Sequence, residues 1–310
     1  MINFRYHVVS LAAVFLALAL GLVVGTAALN GPVADRLEAQ ISALGKDNSN
    51  KRNEIEQYRE ELDRGQDFAV GIAPELLGGK LAGRKLAVLV LPNTSDYADR
   101  LIEMLTVADA TVTAKITVND KFFDPNIDFE LLGLAEKAKQ PTIQLDGLPQ
   151  NSNGVETAGA QLALALLQRA GTSQASAGDV TAVLTAYAKQ GYLAVDDKAT
   201  GGADGTVIIS GSPPVDKDAA KKNQSAVTLA EQFKSRPLVI AGTGVGDGNL
   251  ISAVRGDPSL VQAISTVDNA STADGQVATA LTCIERLVHN KVGQYGLNPG
   301  AAGLVPEAAR

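Results

Sequence analysis

Lys85-Leu86-Ala87-Val88-Leu89-Val90-Leu91 is a run with one charge at its head and a proline, Pro92, directly after it. A segment this apolar keeps no side for water, so it reads as a strand buried on both faces, as in a parallel sheet covered by helices. Pro237 to Ala241 (PLVIA) has the same character, while Thr111 to Val118 alternates like a strand. Shorter strands are expected near Tyr192 to Val195 and Thr206 to Ser210. Helical spacing separates them: from Ser95, a capping type, through about Val107 with Leu101, Met104 and Leu105 inward, then Ile127 to Lys139, Val155 to Ala170, Val180 to Gln190, Ser225 to Ser235 and Gln276 to Asn290. This alternation predicts an α/β domain over residues 80–297, an open, doubly wound, Rossmann-like three-layer domain. A hinge at Gly78-Gly79 precedes it, and a flexible tail, 298–310, follows.

Upstream the pattern changes. Residues 8–29 carry no charge and are polar only at Ser10 and Thr26. As a helix they would span about 33 Å, against a hydrocarbon core of roughly 30 Å. A cleaved signal peptide competes, since Thr26, Ala27 and Ala28 are small; the apolar run exceeds the usual h-region of about 7–15 residues, which favours an anchor in the bilayer. Arg5 in the N-terminal segment 1–7 tips the orientation towards a cytoplasmic N-terminus, a cell-membrane protein with its globular part outside the cytoplasm. Ala13, Ala17, Gly21 and Gly25 recur every fourth residue, a stripe where a second helix approaches closely.

After Gly31-Pro32, expected to break the helix, residues 33–66 read as a coiled-coil stalk. Ile41, Asn48, Ile55 and Leu62 fall at a positions; Leu37, Leu44, Lys51 and Tyr58 fall at d. In a parallel dimer Asp47 faces Arg52 and Glu54 faces Arg59, each pair contributing about 0.3–0.5 kcal/mol if exposed. Asn48 at a fixes register and favours two strands. Lys51 at d and Gly45 oppose the assignment, and a single amphipathic helix is the competing reading. Stripe and stalk together predict a parallel homodimer.

The 310 residues have a formal charge of -7, and no Lys/Arg cluster appears, which sets nucleic acid aside. One cysteine, Cys283, forbids an intrachain disulfide. The Gly242 to Gly248 stretch (GTGVGDG) follows a strand, where amides can cradle phosphate. It puts Asp247 where the third glycine of a dinucleotide fingerprint belongs, and no Walker lysine follows, so no cofactor is assigned. Cys283 and His289 sit six apart on one predicted helix, about 240° around it, so they cannot share one ion. Cys283 reads as a core residue, His289 as a cation at a helix C-terminus and His7 as an interfacial anchor. No hydrolytic triad or GxSxG elbow is present, and adjacent Asp196 and Asp197 point apart; no catalytic or metal residue is assigned and the chain is read as a non-enzyme.

Arg5, His7, the string Val9 to Leu18 (VSLAAVFLAL), Gly21 and Gly25, then Ser265-Thr266-Val267-Asp268 and Val292-Gly293-Gln294-Tyr295-Gly296, resemble the actinobacterial copper transport protein B (MctB) family over essentially the whole chain. The resemblance implies an envelope protein of copper homeostasis or efflux, with copper as a partner and, in some relatives, an outer-membrane channel. Related proteins resemble daughter-cell-separation factors acting on septal wall hydrolysis. The residues themselves oppose direct handling. One apolar helix encloses no pore, and Cu(I) wants clustered Cys, Met or His. An interaction module engaging an envelope protein partner is therefore expected, with a nucleotide-binding envelope enzyme the weakest alternative.

Overall fold

The computed structural model describes residues 4–94, 97–145, 147–169, 174–244, 246 and 248–307, with the backbone alone for 28–34. Two compact units divide at Arg64 and Gly65. Helix α1 begins at Phe4 in the first, its backbone stays helical through Gly31 and Pro32, and its last turns, to Leu77, belong to the second. The expected break is absent. Proline costs a helix interior about 3 kcal/mol, and here it falls between turns rich in Ala and Leu, the strongest helix formers. The stretch Phe4–Ala27 is long and apolar enough to cross a membrane.

The second unit is mixed α/β. Its elements are β1 (Lys85–Val90), α2 (Tyr97–Val107), β2 (Thr111–Val118), a 3-10 turn (Asp120–Phe123), α3 (Asp128–Lys137), α4 (Gly154–Leu166), α5 (Ala177–Lys189) and β3 (Leu193–Val195). They continue with β4 (Gly205–Ser210), α6 (Ala219–Phe233), β5 (Leu238–Gly242), α7 (Leu250–Gly256), β6 (Ser265–Val267), α8 (Ala273–Val288) and β7 (Gln294–Tyr295). The seven strands lie in the order β3-β2-β1-β4-β5-β6-β7. All neighbours are parallel except β3, which runs antiparallel on β2.

The apolar run that opens the domain sits centrally between β2 and β4, and its side chains divide by parity. Ala87, Leu89 and Leu91 enter one buried cluster with residues of α3 to α7. Leu86, Val88 and Val90 enter the other, with α2, α8 and the last turns of α1. Both faces are dry, which is why no polar residue interrupts β1. Each fully buried Leu or Val contributes about 1.5–3 kcal/mol.

Three expectations need correction. The domain starts before its predicted edge, because Ala73 and Leu77 of α1 are fully buried in the second cluster. Gly78-Gly79 is no hinge: the Gly78 N–H donates to the Pro74 carbonyl at 2.9 Å and Gly79 takes φ +74°, a left-handed helix cap. The tail is held through residue 307. Ala302 N–H donates to the Gln294 carbonyl (2.7 Å), Gly296 N–H to the Gly303 carbonyl (3.0 Å), and Val305 packs on the core. An Ala- and Gly-rich stretch needs no large side chain to dock when its backbone finds partners. Ser95, expected to cap α2, Ala170, expected to end α4, and residues 308–310 lie outside the described residues.

Candidate functional site

β1 leads to β2 and β3 on one side of the sheet; β4 leads to β5, β6 and β7 on the other. Sheets of this kind open a crevice beyond the carboxyl ends of the two strands where the winding reverses. Here Leu91, Pro92 and Asn93 after β1 meet Ser210 to Pro214 after β4, enclosing about 50 Å³. The space is small because the loops close on each other. Asn93 adopts φ 57° and its carbonyl accepts the Ser212 N–H at 3.3 Å, while its amide donates to the Ser212 carbonyl at 3.3 Å. Gly211 presses on the Asn93-Thr94 backbone, leaving no room for a Cβ.

Chemistry in the crevice is sparse. Lys222 of α6 is held by Asp120 (2.6 Å) and Asp216 (2.7 Å). The hydrogen bond to Asp120, and then that to Asp216, push its ammonium up to about 12. In return Asp216 lies below the usual carboxylate range, chiefly through its bond from Lys222. The raised Lys222 value stabilises fully below the ordinary lysine range and is lost as pH rises through about 12; the Asp216 contribution is present above the ordinary carboxylate range and is lost as pH falls through its lowered value. Lys222 and Asp216 thus stay charged across neutral pH. Ser210 Oγ is buried without a hydrogen-bond partner among the described residues, so no base is in reach to activate it. Tyr97 donates to the Ser210 carbonyl at 2.6 Å, and burial pushes its phenol up to about 12. At the rim, Val215 is 98% exposed beside Pro213 and Pro214.

The glycine loop serves the fold. Gly244 N–H donates to the Asp268 carbonyl (2.7 Å) and Gly246 N–H to Ser252 Oγ (2.8 Å), so two amides a phosphate would need are already engaged. Asn249 caps α7 through the Ile251 and Ser252 amides. Val245 and Asp247 lie outside the described residues.

Sequence reasoning missed the most polar buried centre. Arg255, at the end of α7, is 7% exposed and binds Asp268, which is fully buried, at 2.7 Å. The guanidinium also donates to Thr266 Oγ1 (2.9 Å) and the Tyr295 carbonyl (2.8 Å). Asp268 accepts from the Leu297 N–H (2.9 Å) and the Asn298 amide (2.8 Å). Tyr295 donates to Glu285 at 2.6 Å, and burial raises its phenol first of all. The two C-terminal motifs, Ser265 to Asp268 and Val292 to Gly296, are therefore neighbouring strands at one end of the sheet, clasped by one arginine. An arginine within the apolar helix ISAVRG was the one available signal.

Met104 and Cys283, set apart by sequence, share one buried cluster because α2 packs against α8. Complete burial pushes the Cys283 thiol up to about 12, so it is no thiolate at neutral pH. His289 is the C-cap of α8 and lines a separate 290 Å³ cavity with Lys80 and Glu285. Among the described residues no group of three or more His, Cys, Asp or Glu could hold a metal.

On α1, Ala13, Ala17 and Gly21 are exposed and Gly25 is partly so, with open space where a Cβ would stand on either glycine. Leu37, Ile41, Leu44, Asn48, Ile55, Tyr58 and Leu62 are exposed as well, the apolar ones by 51–67%. Asp47 binds Lys51 at 3.0 Å and Glu56 approaches Arg59 at 4.0 Å within the chain.

The model of the family described as "Copper transport outer membrane protein, MctB" matches residues 1–306. Proteins named Copper transporter MctB from Mycobacterium tuberculosis and Mycobacterium bovis are each 26% identical over 310 residues, spanning 97% of this chain and 98% of the relative. The namesake from Mycobacterium leprae is 26% identical over 319 residues, 99% of this chain and 100% of its own.

Proposed function

Because this chain belongs to the MctB family of copper transport outer membrane proteins, we propose that it is a membrane-anchored module of the cell envelope. It acts in copper homeostasis as a parallel homodimer, through a Rossmann-like domain that engages a protein partner outside the cytoplasm and catalyses no reaction. The observation that carries the reading is α1: one continuous helix bearing an apolar membrane-length segment and then an exposed heptad stripe. A second copy covers that stripe and reads Asn48 against its own equivalent. The intrachain pairs of Asp47 and Arg59 are exposed and worth only a few tenths of a kcal/mol, so they exchange readily for interchain ones. The partner-facing surface is the crevice between β1 and β4 with its proline rim.

Single cysteines at Ile41 or Ile55 should each crosslink to the same residue of a second chain. The background is Cys283→Ala rather than Ser, since a hydroxyl in that apolar site would be buried without a partner. A strictly monomeric protein in mild detergent, with neither crosslink, would refute the dimer.

Copper is handled indirectly in this reading. One membrane span per chain encloses no lumen, and the sulfurs of Met104 and Cys283 lie in the core. Wild type and Cys283→Ala should therefore compete equally poorly with a Cu(I) chelator, while deletion of the protein alters cellular copper. Tight one-to-one Cu(I) binding lost in Cys283→Ala would restore direct handling; a deletion that changes only cell separation would favour the septal-wall alternative.

A further inference from the structure

A cavity of 390 Å³ opens between the C-terminal ends of α4 and α6, and none of the crevice residues lines it. Its volume falls in the range of about 300–1,000 Å³ that takes small organic ligands. Leu145, Leu148, Ala160, Ala163, Leu164 and Leu167 make its wall apolar, and Arg169 and Arg236 also line it. Arg169 Nη2 donates to the Leu164 carbonyl at 2.9 Å, and Arg236 Nε donates to the Gln168 carbonyl at 2.8 Å. Those bonds suit cations at the end of a helix, yet each guanidinium has five N–H donors. Arg169 Nε is buried with no hydrogen-bond partner among the described residues. Nor does either arginine form an ion pair with a described carboxylate, in a chain whose formal charge is -7. Two cations with unused donors beside a leucine wall are complementary to an anion that carries an apolar chain, because planar guanidinium groups bind carboxylate or phosphate through paired N–H bonds.

We infer that this cavity binds a small anionic amphiphile, its carboxylate or phosphate head on Arg169 and Arg236 and its short hydrocarbon chain along the leucines. The inference is independent of the dimer and of the crevice between β1 and β4. Calorimetric titration tests it, with full-length protein in phosphatidylcholine nanodiscs and empty nanodiscs subtracted, using hexyl phosphate, hexanoate, inorganic phosphate and hexanol. Hexyl phosphate or hexanoate should bind at least tenfold more tightly than inorganic phosphate and hexanol, and the stronger of the two identifies the head group. Arg236→Gln should weaken that binding at least tenfold. Ala160→Phe, which fills the cavity and keeps both guanidinium groups, should do the same, and it decides alone if Arg236→Gln melts lower than wild type. Hexanol or inorganic phosphate binding as tightly as the amphiphiles, no binding by either amphiphile, or wild-type affinity in the cavity-filling variant would overturn it.

Discussion

Asp268→Ala is expected to destabilise the α/β unit by about 3–5 kcal/mol, the cost of breaking a buried ion pair from one side. Domains are typically stable by about 5–15 kcal/mol, so a fifth or more of the margin goes. Arg255, 7% exposed, would keep its charge with no counter-charge, and the Leu297 and Asn298 amides would lose their acceptor. Asp268→Asn, which retains an acceptor oxygen, should fall between. Replacing both partners with apolar residues, Arg255→Met with Asp268→Leu, should recover part of the loss, since no charge is then left alone in the core. Urea unfolding followed by circular dichroism measures all three. An Asp268→Ala loss below 1 kcal/mol would mean that the pair behaves like an exposed one.

Gly211→Ala is the second large effect, about 3 kcal/mol or more, because the new methyl meets backbone rather than a side chain that can turn away. An added Cβ would overlap the Asn93 carbonyl group and the Thr94 amide nitrogen, which belong to the opposite loop of the crevice. The loops would have to part, breaking the Asn93–Ser212 bonds. Faster amide hydrogen exchange confined to these two loops, with a lower melting temperature, is the expected pattern. Partner capture should fall with it if the crevice is the docking surface. Unchanged exchange at Ser212 would show that the loops accommodate a methyl.

How legible each element was in the sequence follows from how its surroundings act on it. β1 and β5 announce themselves because both faces are covered and every position after Lys85 at the head of β1 is apolar. β2 shows alternation because its burial is uneven along the strand, with Thr111 exposed while Ile116 and Val118 are buried. β6 and β7 escape notice: Ser265-Thr266-Val267 and Gln294-Tyr295 are short and mostly polar, and Thr266 Oγ1 bonds to Gln294 Oε1 at 2.5 Å across 28 residues. No local pattern encodes a pair that distant. The crevice is equally silent, since Asn93 and Ser212 stand 119 apart. The continuity of α1 was hidden for the opposite reason, a strong local signal at Pro32 that the helix overrides. The stripe residues were legible by their spacing alone, and they are exposed in this chain.

The arginine clasp bears on how the protein is made. Asp268 finds two of its donors in Leu297 and Asn298, and Ala302 and Val305 complete the same edge, so these contacts come from residues synthesised after β1 to β6. Until that stretch is available, β6 has no neighbour on its outer side and a carboxylate in the interior lacks its amide donors. The nascent domain cannot close on β6 alone; that edge stays unfinished until residues 294–305 have emerged. A stop codon after Asn290 would remove under a tenth of the residues, yet it would trap the rest in that unfinished state, a ready substrate for proteolysis.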